Sequence, residues 1–323
     1  MNGERLSVVI PCFNAARYVS SAIDSVLEQQ WPDLEIVVID DGSTDGSADL
    51  VAARYPQVRL IRQANAGVAA ARNRGIREAQ GSWIAFLDAD DLWLPGKLLA
   101  QAALLSADPA ARMAYAAWQV WPCETPAPDA AYSAALLVDA ADPARWSGPS
   151  GWIYPELLLD CAVWTSTVVA QRSLFEEIGV FDSGLRVGED YDLWLRASRV
   201  TPILRVNRPC ALYRTHAASI THAAPRENYR SIVVSRAIAR WGYGHERAGT
   251  AVRARVRRAL ANSWTDFAAS SLKAGDLGRA RHGALMSLRT DPSYAAGWKI
   301  LMKTALGALV PRPATSSSRR QAS

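Results

Sequence analysis

Histidine and cysteine are scarce in this chain, four of each in 323 residues. Cys12, Cys123, Cys161 and Cys210 form no C-x-x-C pair and no metal-ligand spacing. That excludes a cysteine-built zinc site or a disulfide framework and predicts reduced thiols in a cytosolic protein. No apolar run approaches the roughly 18 residues that a membrane span needs. The chain reaches Leu6-Ser7-Val8-Val9-Ile10-Pro11 too soon to leave room for a signal peptide, so a cytoplasmic location is expected. Glycine-rich phosphate loops are missing too. No G-x-G-x-x-G follows the first apolar run, which argues against a dinucleotide-binding Rossmann domain, and no G-x-x-x-x-G-K-[ST] loop occurs. Acidic residues are rare in one region only: residues 1–198 hold 14 basic and 26 acidic side chains, residues 199–323 hold 22 and 5. The split suggests two modules, with different partners or attracted to each other.

What is present is organised around Ser82-Trp83-Ile84-Ala85-Phe86-Leu87, an apolar run of strand length that empties into Asp88-Ala89-Asp90-Asp91. Unpaired charges inside a sheet cost several kcal/mol each, so these carboxylates belong at the strand's carboxyl end, in the crevice where open α/β sheets bind ligands. Asp88 and Asp90 are two apart, and a bend lets both reach one hard cation and the phosphate oxygens it carries. The plainer alternative is an acidic turn capping the next helix, a role we expect for Asp91.

The preceding chain alternates strand and helix. Residues 6–10 and 34–39 read as buried strands, with Pro11 stopping the first and Asn14 capping the helix after it. A third strand covers 58–61, and Asn65-Ala66-Gly67 opens an alanine-rich helix containing Arg72 and Asn73. Such β-α-β alternation predicts a mostly parallel sheet with helices on both faces. Right-handed crossovers then bring Pro11, Asp40-Asp41 and Asp88–Asp90 to one rim. An aspartate at the second strand's end can accept the imide N–H of uracil or thymine beside the backbone at Pro11. Asp40 and Asp41 both qualify. Arg72 and Asn73 offer donors toward a base or a phosphate, or are solvated helix residues.

Val9-Ile10-Pro11-Cys12-Phe13-Asn14, Asp40-Asp41-Gly42-Ser43-Thr44-Asp45, Asn65-x-Gly67…Ala71-Arg72-Asn73-x-Gly75 and Asp88-Ala89-Asp90-Asp91 follow in the order and spacing of family 2 glycosyltransferases. Over about residues 5–220 the chain resembles these inverting enzymes of GT-A type, which use nucleotide-diphosphate sugars with Mn²⁺ or Mg²⁺. The resemblance implies donor contacts from Pro11, Phe13, Asn14, Asp40, Asp41, Arg72, Asn73, Asp88 and Ala89, with UDP the leading nucleotide. It implies a metal held by Asp90 and Asp88, with His216 of Tyr213-Arg214-x-His216 as a further candidate ligand. It places the general base in Glu189-Asp190-x-Asp192-x-Trp194, where we assign Asp190 as base, with Glu189 positioning the acceptor or supporting the helix start. A saccharide or lipid-linked saccharide is the acceptor that this family suggests.

Elsewhere, Met113–Trp121 reads as a strand, 122–150 as a variable loop, 152–161 as a short helix and Val163–Val169 as a strand. Trp164 in that last stretch suits a sugar face or the core. Helical patterns fill the region beyond Pro225, and a tail from Pro311 is expected to be disordered. The organisation expected is a GT-A domain over 1–222, a basic all-helical module over 223–310 and a tail over 311–323. The basic module offers a surface for anionic lipid on the inner face of the plasma membrane; nucleic acid is not an expected partner. A sugar nucleotidyltransferase and a non-catalytic nucleotide-sugar scaffold are the alternatives.

Overall fold

The computed structural model describes residues 3–122, 144–215, 225–244 and 250–307, together with Thr125, Pro128, Tyr132 and Asp142. His216, Cys123, most of the 122–150 loop and the 311–323 tail lie outside the described residues.

The strands are β1 (Leu6–Cys12), β2 (Leu34–Asp40), β3 (Arg59–Arg62), β4 (Trp83–Phe86), β5 (Leu92–Trp93), β6 (Met113–Trp121), β7 (Val169–Gln171) and β8 (Ile203–Arg214). They form one sheet in the order β3-β2-β1-β4-β7-β6-β8-β5. From β3 to β4 the neighbours are parallel. β7 enters antiparallel to β4 and β6, β6 and β8 are parallel, and β5 closes the edge antiparallel to β8. The sheet is thus mixed, with a wholly parallel first half.

The helices are α1 (Val19–Leu27), α2 (Ser47–Arg54), α3 (Val68–Glu78), α4 (Lys97–Ala107), α5 (Tyr154–Leu157), α6 (Arg172–Ile178), α7 (Glu189–Ala197), α8 (Tyr229–Trp241), α9 (Thr250–Lys273), α10 (Leu277–Thr290) and α11 (Ala295–Gly307). β1 is buried along its whole length, as its β-branched run requires. In α1 the buried Val19, Ala22, Ile23 and Val26 repeat at helical spacing and join the main core. α3 lies so close to β1 that a Cβ on Gly75 would stand 2.1 Å from Val9 Cγ1; only glycine permits this approach. On the same face of the sheet, Phe86 of β4, the register partner of Val9, meets Phe175, Phe181 and Trp194 with ring centroids 5.8, 5.4 and 6.4 Å away. Pairs of this kind add about 0.5–1.5 kcal/mol each beyond area burial, and they draw α7 against the end of β4.

Several local expectations are corrected. Pro11 does not stop β1, which stays in register with β2 to the pair Cys12–Asp40. Its ladder with β4 ends earlier, at Val9–Phe86, so an imino residue is tolerated where that neighbour departs. Asn14 caps no helix. It has φ +51°, its N–H donates to Ser43 Oγ (3.0 Å) and its Oδ1 accepts from Thr44 N (2.8 Å). The stretch 163–169 is not a strand: Thr165–Thr167 forms a 3-10 turn, and β7 starts at Val169.

Met1–His222 with Val233–Ala248 make one compact unit, and Ala223–Ile232 with Gly249–Ser323 a second. Within the second, Ala268, Ala284 and Ile300 pack α9, α10 and α11 together, and Asp276 caps α10 by accepting from Arg279 N at 2.8 Å.

Candidate active site

The parallel register aligns the ends of β1, β2 and β4 on one rim, where three loops leave the sheet. The loop after β2 serves its neighbours first. Asp45 Oδ2 accepts from Ala16 N (2.9 Å) and Ser47 Oγ from Ala15 N (2.9 Å). Asp41 is buried and binds the loop before α3, accepting from Gln63 Nε2 (2.8 Å), Ala66 N (2.9 Å) and Gly67 N (2.8 Å). Asp40, also buried, accepts a long contact from Ser43 N at 3.4 Å. Phe13 projects from this rim 52% exposed.

Arg72, on α3, reaches across the rim. It is buried, and its guanidinium pairs with Asp88 Oδ1 at 2.6 Å and with Glu189 Oε1 at 2.9 Å. Burial opposes its charge, but Asp88, Glu189 and Asp190 outweigh that cost and raise its proton affinity above the ordinary value. Its Nε is buried without an acceptor among the described residues. Asn73 faces elsewhere: its amide clasps the backbone of Phe181, donating to the carbonyl (2.8 Å) and accepting from the N–H (2.9 Å). This clasp anchors the segment that leads to α7.

The first turn of α7 carries Glu189, Asp190 and Asp192, placement favoured by the helix dipole. Burial, then the neighbouring Asp190 charge, pushes the Glu189 carboxyl up to about 7, against the pull of Arg72. Asp190 is half-buried, and its Oδ2 accepts from Thr165 Oγ1 at 2.9 Å. Asp192 pairs with Arg196 one turn on, at 2.9 Å.

Asp88 and Asp90 are half-buried, with Ala89 buried between them. Asp91 is buried and caps nothing, since α4 begins six residues later behind Gly96 with no side-chain cap. Instead it accepts from Ser166 Oγ (2.6 Å), Arg214 N (3.1 Å) and Trp164 Nε1 (3.3 Å). Burial, then Asp90 and Asp88, hold its carboxyl well above the usual carboxylate range. Arg214 is buried between the rings of Tyr18 (4.5 Å) and Trp121 (4.3 Å) and donates through Nε to the Asp90 carbonyl at 2.7 Å. Trp164 packs on Trp118 and Tyr213, with centroids at 5.9 and 4.3 Å.

Arg72, Asp88, Glu189 and Asp190 are thus brought together, while Asn73 is turned away and His216 lies outside the described residues. Sequence reading missed Thr165, Ser166 and Arg214. A signal existed for the first two: three adjacent hydroxyls inside an apolar run would leave some unpartnered in a buried strand.

Carboxylate oxygens are the donors a hard cation takes, and Mg²⁺ commonly uses one or two protein carboxylates with substrate phosphates and water. Asp88 and Asp90 match that pattern. Among the described residues no three His, Cys, Asp or Glu side chains are grouped to hold a metal ion.

Residues 7–122 match the family described as glycosyl transferase family 2. The chain is 29% identical over 225 residues to the uncharacterized glycosyltransferase RP339 of Rickettsia prowazekii, covering 68% of this chain and 66% of that protein. It is 28% identical over 225 residues to WfgD of Escherichia coli, a UDP-Glc:alpha-D-GlcNAc-diphosphoundecaprenol beta-1,3-glucosyltransferase, covering 68% and 81%. Among the first curated relatives the chain spans 66% or less of each length, down to 26% for YibD of Escherichia coli. Among solved structures, S. aureus TarS 1-349 with UDP-GlcNAc aligns over 90% of this chain and 93% of its own, at 14% identity and TM-score 0.57. The mannosyltransferase PcManGT of Pyrobaculum calidifontis, with GDP-Man and Mn²⁺, aligns over 95% and 86% at 20% identity and TM-score 0.52. At these identities the structural likeness is one of fold, and it fits the mixed sheet seen here. The family match places a glycosyl transferase family 2 segment at residues 7–122, and the curated relatives that the chain resembles are glycosyltransferases.

Proposed function

We propose that the chain moves a sugar from a nucleoside-diphosphate donor to a hydroxyl of a saccharide or lipid-linked saccharide, with inversion at the anomeric carbon. One observation carries the reading: Arg72 joins Asp88 at the end of β4 to Glu189 at the start of α7, with Asp190 beside it. Donor-side and acceptor-side acids, far apart in sequence, share one crevice.

Asp40 accepts the base imide, since Asp41 is engaged by three donors of the loop before α3. Phe13 and the backbone at Pro11 line the base slot. Asp88 and Asp90 would hold Mn²⁺ or Mg²⁺, which when bound would neutralise charge on the leaving diphosphate. Asp190, oriented by Thr165, takes the proton as the acceptor oxygen attacks the anomeric carbon; the bond from that carbon to the diphosphate breaks. Glu189 and Arg72 keep α7 in place. UDP leads among the nucleotides because the relative WfgD is named for UDP-Glc and the TarS structure holds UDP-GlcNAc. WfgD's named acceptor likewise favours a diphosphate-linked lipid saccharide.

No helix among the described residues is long and apolar enough to cross a membrane. Contact with an anionic bilayer would use the exposed Arg253, Arg255 and Arg257 of α9, and flotation with anionic liposomes at low and high salt checks it. The main test is thermal shift with UDP, GDP and their sugars, with and without Mn²⁺. A bound ligand at about 100 times its Kd adds about 2.7 kcal/mol. Absence of any shift across the panel overturns the reading.

A further inference from the structure

The 3-10 turn Thr165–Thr167 holds the crevice from one side. Thr165 Oγ1 donates to Asp190 (2.9 Å), while Ser166 Oγ donates to Asp91 (2.6 Å) and accepts from Asp88 N (3.1 Å). The opposite side of the turn presents carbonyls to the core, and two buried side chains take them. Trp93 Nε1 donates to Ser166 O at 2.6 Å, and Gln101 Nε2 donates to Thr167 O at 2.7 Å and to Ala114 O at 3.2 Å.

Behind both sits Lys97, fully buried in the first turn of α4. Its Nζ donates to Gln101 Oε1 at 2.8 Å and lies 3.8 Å from the centroid of the Trp93 ring. No carboxylate pairs with it among the described residues. A buried ammonium without a counter-ion is costly, and burial accordingly lowers its proton affinity to about 7. A group kept at such a cost calls for a reason, and donor–acceptor logic supplies one. In its protonated form, below about pH 7, the amine can only donate. It therefore fixes the Gln101 amide with Oε1 toward itself and Nε2 toward the two carbonyls. The reversed amide would set N–H against the ammonium and oxygen against oxygen. The same ammonium holds the face of Trp93 by cation–π attraction.

We infer that Lys97 is a positioning residue: acting through Gln101 and Trp93, it sets the Thr165–Thr167 turn and with it Asp88, Asp91 and Asp190. The role deepens the proposed glycosyl transfer and rests on that reading for its effect on ligand binding. It does not rest on it for its effect on the turn.

The experiment uses the full chain and two variants, Lys97→Met and Gln101→Leu, each close in volume to the original. Three readouts are taken: urea stability, calorimetric affinity for UDP with Mn²⁺, and amide hydrogen exchange at residues 86–91 and 164–168. Lys97→Met is expected to be as stable as the parent or more so, because a buried charge is removed. Its exchange at 164–168 should nonetheless rise at least fivefold, and UDP–Mn²⁺ affinity should fall about tenfold. Gln101→Leu should change exchange and affinity in the same direction with a loss of stability. A merely structural lysine would move stability and exchange together, throughout the unit. Parental exchange at 164–168 in Lys97→Met overturns the inference, whatever the binding result. If the parent chain itself fails to bind UDP with Mn²⁺, the functional reading fails, while the exchange comparison still decides the role of Lys97.

Discussion

The two halves of the sheet build their shares of the crevice by different means. In the parallel half, β3-β2-β1-β4, motif side chains are turned onto neighbouring backbone: Asn14 and Ser43 join two loops, Asp41 holds the loop before α3, and Asn73 clasps Phe181. In the half containing β7, β6, β8 and β5, hydroxyl side chains hold acidic ones: Thr165 holds Asp190, and Ser166 holds Asp91. Arg72 is where the halves meet. The first half shapes a slot; the second sets charged groups in it. Substitutions should therefore affect binding shape on one side and chemistry on the other.

The largest effect expected is on chemistry. Asp190→Asn removes the proposed base and should lower turnover by about 10²–10⁴-fold, about 3–5 kcal/mol of barrier. Donor affinity should stay within about threefold, because Asp40, Asp88 and Asp90 are untouched. Turnover and calorimetric affinity measured on the same preparation check this, and a parallel loss of donor binding would erase the division between the halves.

Arg72→Leu attacks the junction. It leaves Asp88 and the buried Glu189 without their shared counter-ion, and breaking such a pair typically costs about 3–5 kcal/mol. Urea unfolding gives the value. Arg72→Lys should recover only part of it, because one ammonium cannot reproduce the fork that meets both carboxylates.

Asp91→Asn sharpens the comparison by separating Asp91 from Asp90. Ser166, Arg214 N–H and Trp164 all donate to the Asp91 carboxyl, and an amide would turn an NH₂ toward one of them. A loss of about 1–3 kcal/mol is expected, whereas Asp90→Asn should spare stability and weaken metal-dependent UDP binding. Thermal unfolding and calorimetry distinguish the two variants.

The smallest effect is a slope. Glu189 is raised in the folded chain from 4.5 to about 7, so between those values the folded state retains a proton that the unfolded state has released. Its contribution is complete below about 4.5 and is lost as pH rises through 7. Glu189→Gln should flatten the fall in stability across that window, seen by urea unfolding at pH 5 and pH 8. An unchanged slope would mean that the Arg72 pair keeps Glu189 ionised throughout.

Much of the parallel half was legible in the residues themselves. β1 and β2 are β-branched runs with acidic endings; Asp88 and Asp90 stand half-exposed on the rim, as the cost of burying charge requires, whereas Asp40 is buried at the end of β2. The roles of Asn14 and Asp91 were not legible. Both read locally as helix caps, and their partners, Ser43 and Thr44 for one and Ser166 and Arg214 for the other, are remote in sequence. Thr165–Thr167 read as strand because β-branched residues suit one, and only packing against Trp93 and Gln101 shows a turn.

Sequence alone therefore determined which segments are strands and helices in the parallel half, and that carboxylates gather at the strand ends. Both follow from local periodicity and desolvation, properties of each segment by itself. Tertiary structure decided which carboxylate is paired, raised or held: Arg72 between Asp88 and Glu189, Thr165 on Asp190, and a buried Lys97 orienting the amide beneath them. Those assignments depend on donors and charges brought within 3 Å by the fold, and no spacing along the chain encodes them.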